Sequence, residues 1–153
     1  MKRIAVILLI LTGALVIGWF WLSRYEDRFD PQIRVAAQNH RLPPALVKAV
    51  VWKESRFDPG VRGRAGEIGL MQVTEVAAQE WADALHLNGY AHEHILDPST
   101  NLNAGSYYLS KVLRRYAATD NPLAYALADY NAGRRNVLRW MNATNAPQAR
   151  TNS

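Results

Sequence analysis

The chain of 153 residues contains no cysteine. It therefore forms no disulfide, offers no thiolate to a metal and has no thiol nucleophile. A lipid-modified N-terminal cysteine is excluded as well, so any attachment to a membrane must come from apolar residues. Apolar residues make up 49% of the chain, which is enough for a packed core without cross-links.

The sequence also lacks stretches of strand length in which apolar and polar residues alternate, and it has no internal repeat or low-complexity tract. Apolar residues recur at helical spacing instead. We therefore expect a mainly α fold with one modest soluble domain.

Charge of one sign is not concentrated anywhere in the chain. The 18 Lys and Arg residues exceed the 13 Asp and Glu residues only slightly, giving a net charge of +5, and they are scattered. A mild positive excess suits an anionic polymer, but no nucleic-acid-binding motif accompanies it. Nucleic acid is therefore excluded as a partner, and the sequence identifies no protein partner.

The longest uncharged stretch runs from Ile4 to Leu22, directly after Met1-Lys2-Arg3. As a helix it would span roughly 28 Å, about the thickness of a bilayer core. Because Lys2 and Arg3 favour the cytoplasm, we expect residues 1–23 to form a signal anchor, a single-pass transmembrane helix in the cytoplasmic membrane. The rest of the chain would then lie on the exported side. The alternative is secretion after signal cleavage near Gly18.

Beyond the anchor, we expect a domain over residues 24–142 and a small, polar, disordered tail over residues 143–153. Three helix starts carry the same signal, a capping side chain followed by proline. They are Asp30-Pro31, Asp97-Pro98 and Asn121-Pro122.

Another predicted helix, beginning after Pro44, carries an acid on its apolar side. Glu54 follows Val50 and Val51 at spacings of four and three, so it continues their stripe. Burial would raise the pKa of this carboxyl group and suit it to general acid catalysis; the alternative is a Glu paired with a nearby base at a helix end. Gly105, within a later helix, predicts close approach of another helix, for which the Glu54 helix is the candidate.

Four short blocks follow one another between about residues 43 and 140. They are Glu54-Ser55-Arg56-Phe57-Asp58-Pro59, Gly66-Glu67-Ile68-Gly69-Leu70-Met71-Gln72, Asn101-Leu102-Asn103-Ala104-Gly105-Ser106-Tyr107-Tyr108-Leu109 and Tyr130-Asn131-Ala132-Gly133. Together they resemble the soluble-lytic-transglycosylase-like family. Those enzymes cleave the glycan strands of peptidoglycan on a lysozyme-like helical fold.

The resemblance implies that Glu54 protonates the glycosidic oxygen between N-acetylmuramic acid and N-acetylglucosamine. The muramyl 6-hydroxyl then attacks the anomeric carbon, with Glu54 now the base, and a 1,6-anhydro ring closes. One carboxylate suffices because the nucleophile belongs to the substrate. The resemblance further implies peptidoglycan glycan strands as partner, no metal and no cofactor. The substrate-binding shell that it implies is Ser55, Met71, Gln72, Tyr108, Tyr130 and Asn131.

The second block departs from the commonest family pattern at Glu67, where alanine is usual. A second acid leaves open a lysozyme-type hydrolase in which water attacks with help from Glu67, Asp58 or Asp129. We expect Glu67 to point outward into solvent. A non-catalytic, membrane-tethered module that binds the wall is a third possibility, and the retention of Glu54 beside Ser55 argues against it.

Overall fold

The computed structural model describes residues 2–143, and over this range the chain is mainly helical, as predicted. The α-helices are α1 (Lys2–Asp27), α2 (Asp30–Asn39), α3 (Pro44–Ser55), α4 (Glu75–Ala84), α5 (Pro98–Arg115), α6 (Pro122–Ala132) and α7 (Arg134–Ala143). A short 3₁₀ helix, His92–Leu96, lies between α4 and α5.

The three predicted helix starts all coincide with observed helices, and two of them have the expected cap. Asp97 and Asn121 each accept a hydrogen bond from the backbone N–H three residues on, at 2.8 Å and 3.3 Å. At the third start Phe29 occupies the cap position without a side-chain bond, and Asp30 is already the first helical residue. There the acid lies in the first turn, where it complements the helix dipole.

Helix α5 lies at the centre of the domain and packs against α2, α4 and α6. Leu102, Leu109 and Val112 on this helix are fully buried. Gly105 marks a close approach, but the partner is not the Glu54 helix: a Cβ there would lie 2.6 Å from Met71 Sδ. The loop between α3 and α4 therefore packs on α5 at this point, and glycine makes room for it.

That loop, residues 56–74, folds back on itself. Isolated antiparallel bridges join Ile68 to Arg62 and to Val73. The Gly69 N–H donates to the Val61 carbonyl at 2.8 Å. The loop is thereby held beside the end of α3.

Helix α1 has large apolar side chains that are exposed, among them Ile4, Leu9 and Leu15. Over residues 2–143, however, no helix combines the length and the apolar character that crossing a membrane requires. The predicted transmembrane anchor is thus not supported by the structure. Of the predicted tail, Ala143 ends α7, and the remainder lies outside the described residues.

Candidate active site

Glu54 occupies the last turn of α3, which ends one residue later. Val47, Val50 and Val51 on the same helix are buried, and Glu54 is half-buried beside them. Arg56 then takes the left-handed conformation, with φ 53°, and closes the helix. The predicted position of the acid, on the apolar side near a helix end, is confirmed.

Burial is the largest influence on the carboxyl pKa of Glu54, and it raises this pKa above the ordinary value. The nearby Lys53 ammonium opposes the rise, while the negative charge of Glu67 adds to it. The net rise shifts the equilibrium toward the protonated carboxylic acid, the form that can donate a proton.

Glu54 separates two lobes of an open cleft. The polar lobe, about 490 Å³, includes Gly63, Glu67 and Gln72 in its lining. The apolar lobe, about 390 Å³, is lined by aliphatic side chains such as Leu46 and Leu127. Three of the predicted site residues belong to both lobes: Glu54, Tyr130 and Asn131.

Tyr130 comes from the last turn of α6 and reaches across to the 56–74 loop. Its hydroxyl donates to the Met71 carbonyl at 2.8 Å. Burial, followed by the charge of Glu54, raises the pKa of Tyr130 strongly, so the phenol stays neutral. The Tyr108 ring lies 5.6 Å from the Tyr130 ring in a tilted arrangement, and Tyr108 also lines the polar lobe.

Gln72 is one of the loop residues that line the polar lobe. Its backbone has a positive φ of 46°, and its side-chain amide donates to the carbonyls of Val61 and Gly69, at 3.1 Å and 2.9 Å. These bonds fix the side chain against its own loop. Gln72 therefore presents a held amide oxygen at the cleft.

Ser55 and Met71 are not among the residues that line either lobe. The Ser55 hydroxyl is buried and donates to the Val51 carbonyl at 3.1 Å within α3. The Met71 side chain is fully buried beside Gly105 and Ser106. Both side chains are buried beneath the residues that line the cleft and support them there. Neither has an exposed surface with which to contact a substrate directly.

Asn101 also supports the site, a role that was not predicted for it from the sequence. It is buried on α5, and its Oδ1 accepts from the Met71 N–H at 2.8 Å. Its Nδ2 donates to the carbonyls of Ile68 and Ile95, at 2.7 Å and 3.0 Å. The sequence feature that could have pointed to this role is the position of Asn101 at the start of the third block.

Asp129 precedes Tyr130 and is fully buried. Arg115 is ion-paired with it at 2.5 Å, and the Tyr116 hydroxyl donates to it at 2.9 Å. Burial, and after it this hydrogen bond to Asp129, raises the pKa of Tyr116 to about 12. Through Oδ2, bound by Arg115 and Tyr116, Asp129 anchors the end of α6. Asp129 also borders the polar lobe, and its buried Oδ1 has no hydrogen-bond partner within residues 2–143.

The expectation for Glu67 was wrong. Its side chain is half-buried and lines the polar lobe together with Glu54, instead of pointing into solvent. The reason lies in the loop: Glu67 Oε2 accepts from the Ala65 N–H at 3.0 Å. Neither Arg62 nor Arg64 forms an ion pair with it in the described part of the chain.

Among residues 2–143, no group of three or more His, Cys, Asp or Glu side chains is arranged to hold a metal ion. What the cleft does present is a half-buried carboxyl group, that of Glu54, with Tyr130 and Asn131 beside it in both lobes. A helical domain with such an acid midway along an open cleft is typical of lysozyme-like enzymes, in which a carboxylic acid protonates a leaving oxygen.

Comparison with known proteins agrees with this class. Residues 31–152 match the family described as Transglycosylase SLT domain. A membrane-bound lytic murein transglycosylase F of Desulfosudis oleivorans is 36% identical over 109 residues, which cover 69% of this chain and 22% of the relative. A membrane-bound lytic murein transglycosylase C of Pectobacterium atrosepticum is 31% identical over 126 residues, covering 77% and 35%.

Among solved structures, an inactive mutant of lytic transglycosylase Slt from Pseudomonas aeruginosa matches with a TM-score of 0.68 and 25% identity. The match covers 77% of this chain and 19% of that one. The chain belongs to the Transglycosylase SLT domain family. It spans between 22% and 35% of the length of the two sequence relatives described above.

Proposed function

We propose that the chain is a peptidoglycan lytic transglycosylase, which cleaves the bond between N-acetylmuramic acid and N-acetylglucosamine without water. The observation that carries the proposal is the position of Glu54. Its half-buried carboxyl group is shared by both lobes of the cleft, and burial raises its pKa. A glycan strand lying across the two lobes would place one glycosidic oxygen beside this acid.

In the first half of the reaction, the Glu54 carboxyl group gives its proton to the glycosidic oxygen. The bond between that oxygen and the anomeric carbon of the muramyl residue breaks, and positive charge develops at the carbon. The neutral Tyr130 hydroxyl donates its hydrogen bond to the Met71 carbonyl. Its oxygen therefore keeps lone pairs to face the developing charge.

In the second half, the muramyl 6-hydroxyl oxygen bonds to the anomeric carbon, and its proton passes to the Glu54 carboxylate. A 1,6-anhydro ring closes, and Glu54 is again protonated for the next cycle. No second carboxylate is required, because positioning the substrate's own hydroxyl replaces activation of a water. Gln72, Tyr108 and Asn131 line the lobes and bind the strand. Ser55 and Met71 are buried and support the residues that line the cleft.

The direct test is Glu54→Gln, assayed on purified peptidoglycan. The amide keeps the shape but cannot supply the proton, so we expect turnover to fall at least about a hundredfold. Glu93→Gln on the 3₁₀ helix, which is exposed, changes the net charge equally and serves as the control. Substantial turnover by a folded Glu54→Gln protein would remove Glu54 as the acid.

One observation favours a second candidate function, a lysozyme-type hydrolase. Glu67 lines the same lobe as Glu54. Two other acids line it as well, but Glu80 is ion-paired with Lys111 and Asp129 with Arg115. In a hydrolase Glu67 would assist water or the anomeric carbon directly. The two functions differ in their products, because hydrolysis leaves reducing ends.

We also propose that residues 1–23 attach the domain, residues 24–142, to the exported side of the cytoplasmic membrane. The uncharged stretch from Ile4 to Leu22 and the exposed apolar side chains of α1 support this placement, as does the membrane-bound description of two relatives. The test is cell fractionation. Protein found in the soluble exported fraction, with its N-terminus near Trp19, would contradict attachment and establish cleavage near Gly18.

A further inference from the structure

Glu67 is held in the cleft by its own loop. The Gly63 N–H donates to the Glu67 carbonyl at 2.8 Å, and the Gly66 N–H donates to the Gly63 carbonyl at 3.3 Å. This tight turn brings the Glu67 carboxylate back over the loop, where Oε2 accepts from the Ala65 N–H. The side chain is therefore positioned before any substrate arrives.

Gly63 is what permits this position. A Cβ at residue 63 would lie 2.1 Å from Glu67 Oε2 and 2.8 Å from its Cδ, so the carboxylate occupies the space of the missing side chain. The backbone of Gly63 does not have a positive φ, in contrast to the backbones of Gly66 and Gly69. The glycine is needed for the close approach of Glu67 and not for its own backbone conformation.

Among the described residues, no hydrogen bond or ion pair reaches the other carboxyl oxygen, Oε1. Within residues 2–143, the ion-paired acids are Asp27, Asp30, Glu80 and Asp129, and the bond to Ala65 uses Oε2 of Glu67. Oε1 is left for whatever enters the polar lobe. A carboxylate losing water there needs donors in exchange, and a saccharide supplies them as hydroxyl and acetamido N–H groups.

We infer that Glu67 is a substrate-positioning residue, whose carboxylate accepts hydrogen bonds from hydroxyl or N–H groups of a saccharide in the polar lobe. This inference rests on the proposed function and adds a contact to it. It also separates Glu67 from the second catalytic carboxylate of a hydrolase. A carboxylate tethered to Ala65 and packed on Gly63 is a fixed acceptor that lines the polar lobe, whereas the carboxyl group of Glu54 borders both lobes.

Binding is best measured in the Glu54→Gln background, where turnover does not consume the ligand. The probe is peptidoglycan glycan strands freed of stem peptides, titrated by calorimetry. Because a hydrogen bond to a charged acceptor is roughly twice as strong as a neutral one, we expect Glu67→Gln to weaken binding about tenfold. Glu93→Gln is the matched control for charge, and its affinity should equal that of the parent.

Gly63→Ala supplies a second, independent test. Its methyl group must displace the Glu67 carboxylate without changing any charge, so binding should weaken as it does in Glu67→Ala. Adding Gly63→Ala to Glu67→Ala should then cost little more, because the group that it chiefly displaces is already gone and Gln72 Oε1, at 3.0 Å, has to give only slightly. A purely structural role for Gly63 would give additive losses instead.

In the active enzyme, KM should rise about tenfold on Glu67→Gln while kcat stays within about twofold. Binding by Glu67→Ala within twofold of the parent would overturn the inference. So would a loss confined to strands that still carry stem peptides, or a collapse of kcat as deep as that of Glu54→Gln. Wild-type turnover, measured alongside, separates these results from failure of the proposed function, which an inactive wild-type protein would signal.

Discussion

The hydroxyl of Tyr130 donates a hydrogen bond to the Met71 carbonyl across 2.8 Å. This bond joins the last turn of α6 to the loop that follows α3, two segments separated by 59 positions in the chain. The same tyrosine borders both lobes beside Glu54. This bond therefore helps to set the width of the cleft at the acid.

Tyr130→Phe should lower both activity and stability. The ring stays, but the Met71 carbonyl loses its donor, at a cost of about 1 kcal/mol in the free energy of unfolding. We expect kcat to fall at least about tenfold, because the oxygen facing the reacting carbon is removed. Tyr125→Phe, which deletes a hydroxyl from the same helix outside both lobes, is the control. Equal kcat values for the two variants would remove Tyr130 from the reaction.

Asn101→Ala should destabilise the domain more than any cleft substitution discussed above. It removes three buried hydrogen bonds and leaves the Met71 N–H and two carbonyls without this partner. We expect a loss of about 3 kcal/mol in urea unfolding, since buried groups that lose their partners cost more than the bond itself. Asn88→Ala, in an exposed loop, should change stability by less than about 0.5 kcal/mol. A loss below 1 kcal/mol for Asn101→Ala would contradict its role.

The dependence of activity on pH should follow the protonation of Glu54. Its folded-state pKa is raised, chiefly by burial, so activity that needs the acid form persists above the ordinary Glu pKa of about 4.3. It falls as the pH rises through the raised pKa. Glu67→Gln removes a neighbouring negative charge, lowers the pKa of Glu54 and moves this falling limb to lower pH. Profiles of kcat/KM over about pH 4 to 9 would contradict the account if the limb moved upward.

The free energy of unfolding should also depend on pH through the protonation of Glu54. A raised folded-state pKa means that the native protein holds this proton more tightly than the unfolded chain. The contribution to stability is complete below the unfolded pKa and is lost as the pH rises through the folded one. Glu54→Gln should remove this part of the pH dependence and should be no less stable than wild type at neutral pH. Lower stability of the variant at pH 7 would indicate that ionised Glu54 is favourably paired.

The helical periodicity of the nearby apolar residues was sufficient to predict the position of Glu54 on the buried side of its helix. A stripe of valines at helical spacing, continued by an acid near a helix end, requires no knowledge of distant contacts. The helix starts at Asp97 and Asn121 are equally local, because a capping side chain bonds within its own first turn. Such features depend on neighbours in the chain, which the sequence displays directly.

Positions set by distant contacts were harder to predict. The spacing around Gly105 indicated a close approach but not that Met71 makes it, since the partner arrives from a loop. Glu67 was expected outside because a loop has no periodic face. The direction of the Glu67 side chain depends on the hydrogen bond from the Ala65 N–H and on the space left by the missing side chain of Gly63. Both depend on the conformation of the turn.

The central claim, that the nucleophile is the substrate's own hydroxyl, is tested most directly by the mass of the products. Glycan strands digested with the full chain should yield fragments ending in 1,6-anhydro rings. Each would weigh one water less than the matching fragment from a lysozyme digest of the same strands, and Glu67→Gln should give the same anhydro ends. Reducing-end fragments as the majority product of the wild-type protein would contradict the account and identify a hydrolase.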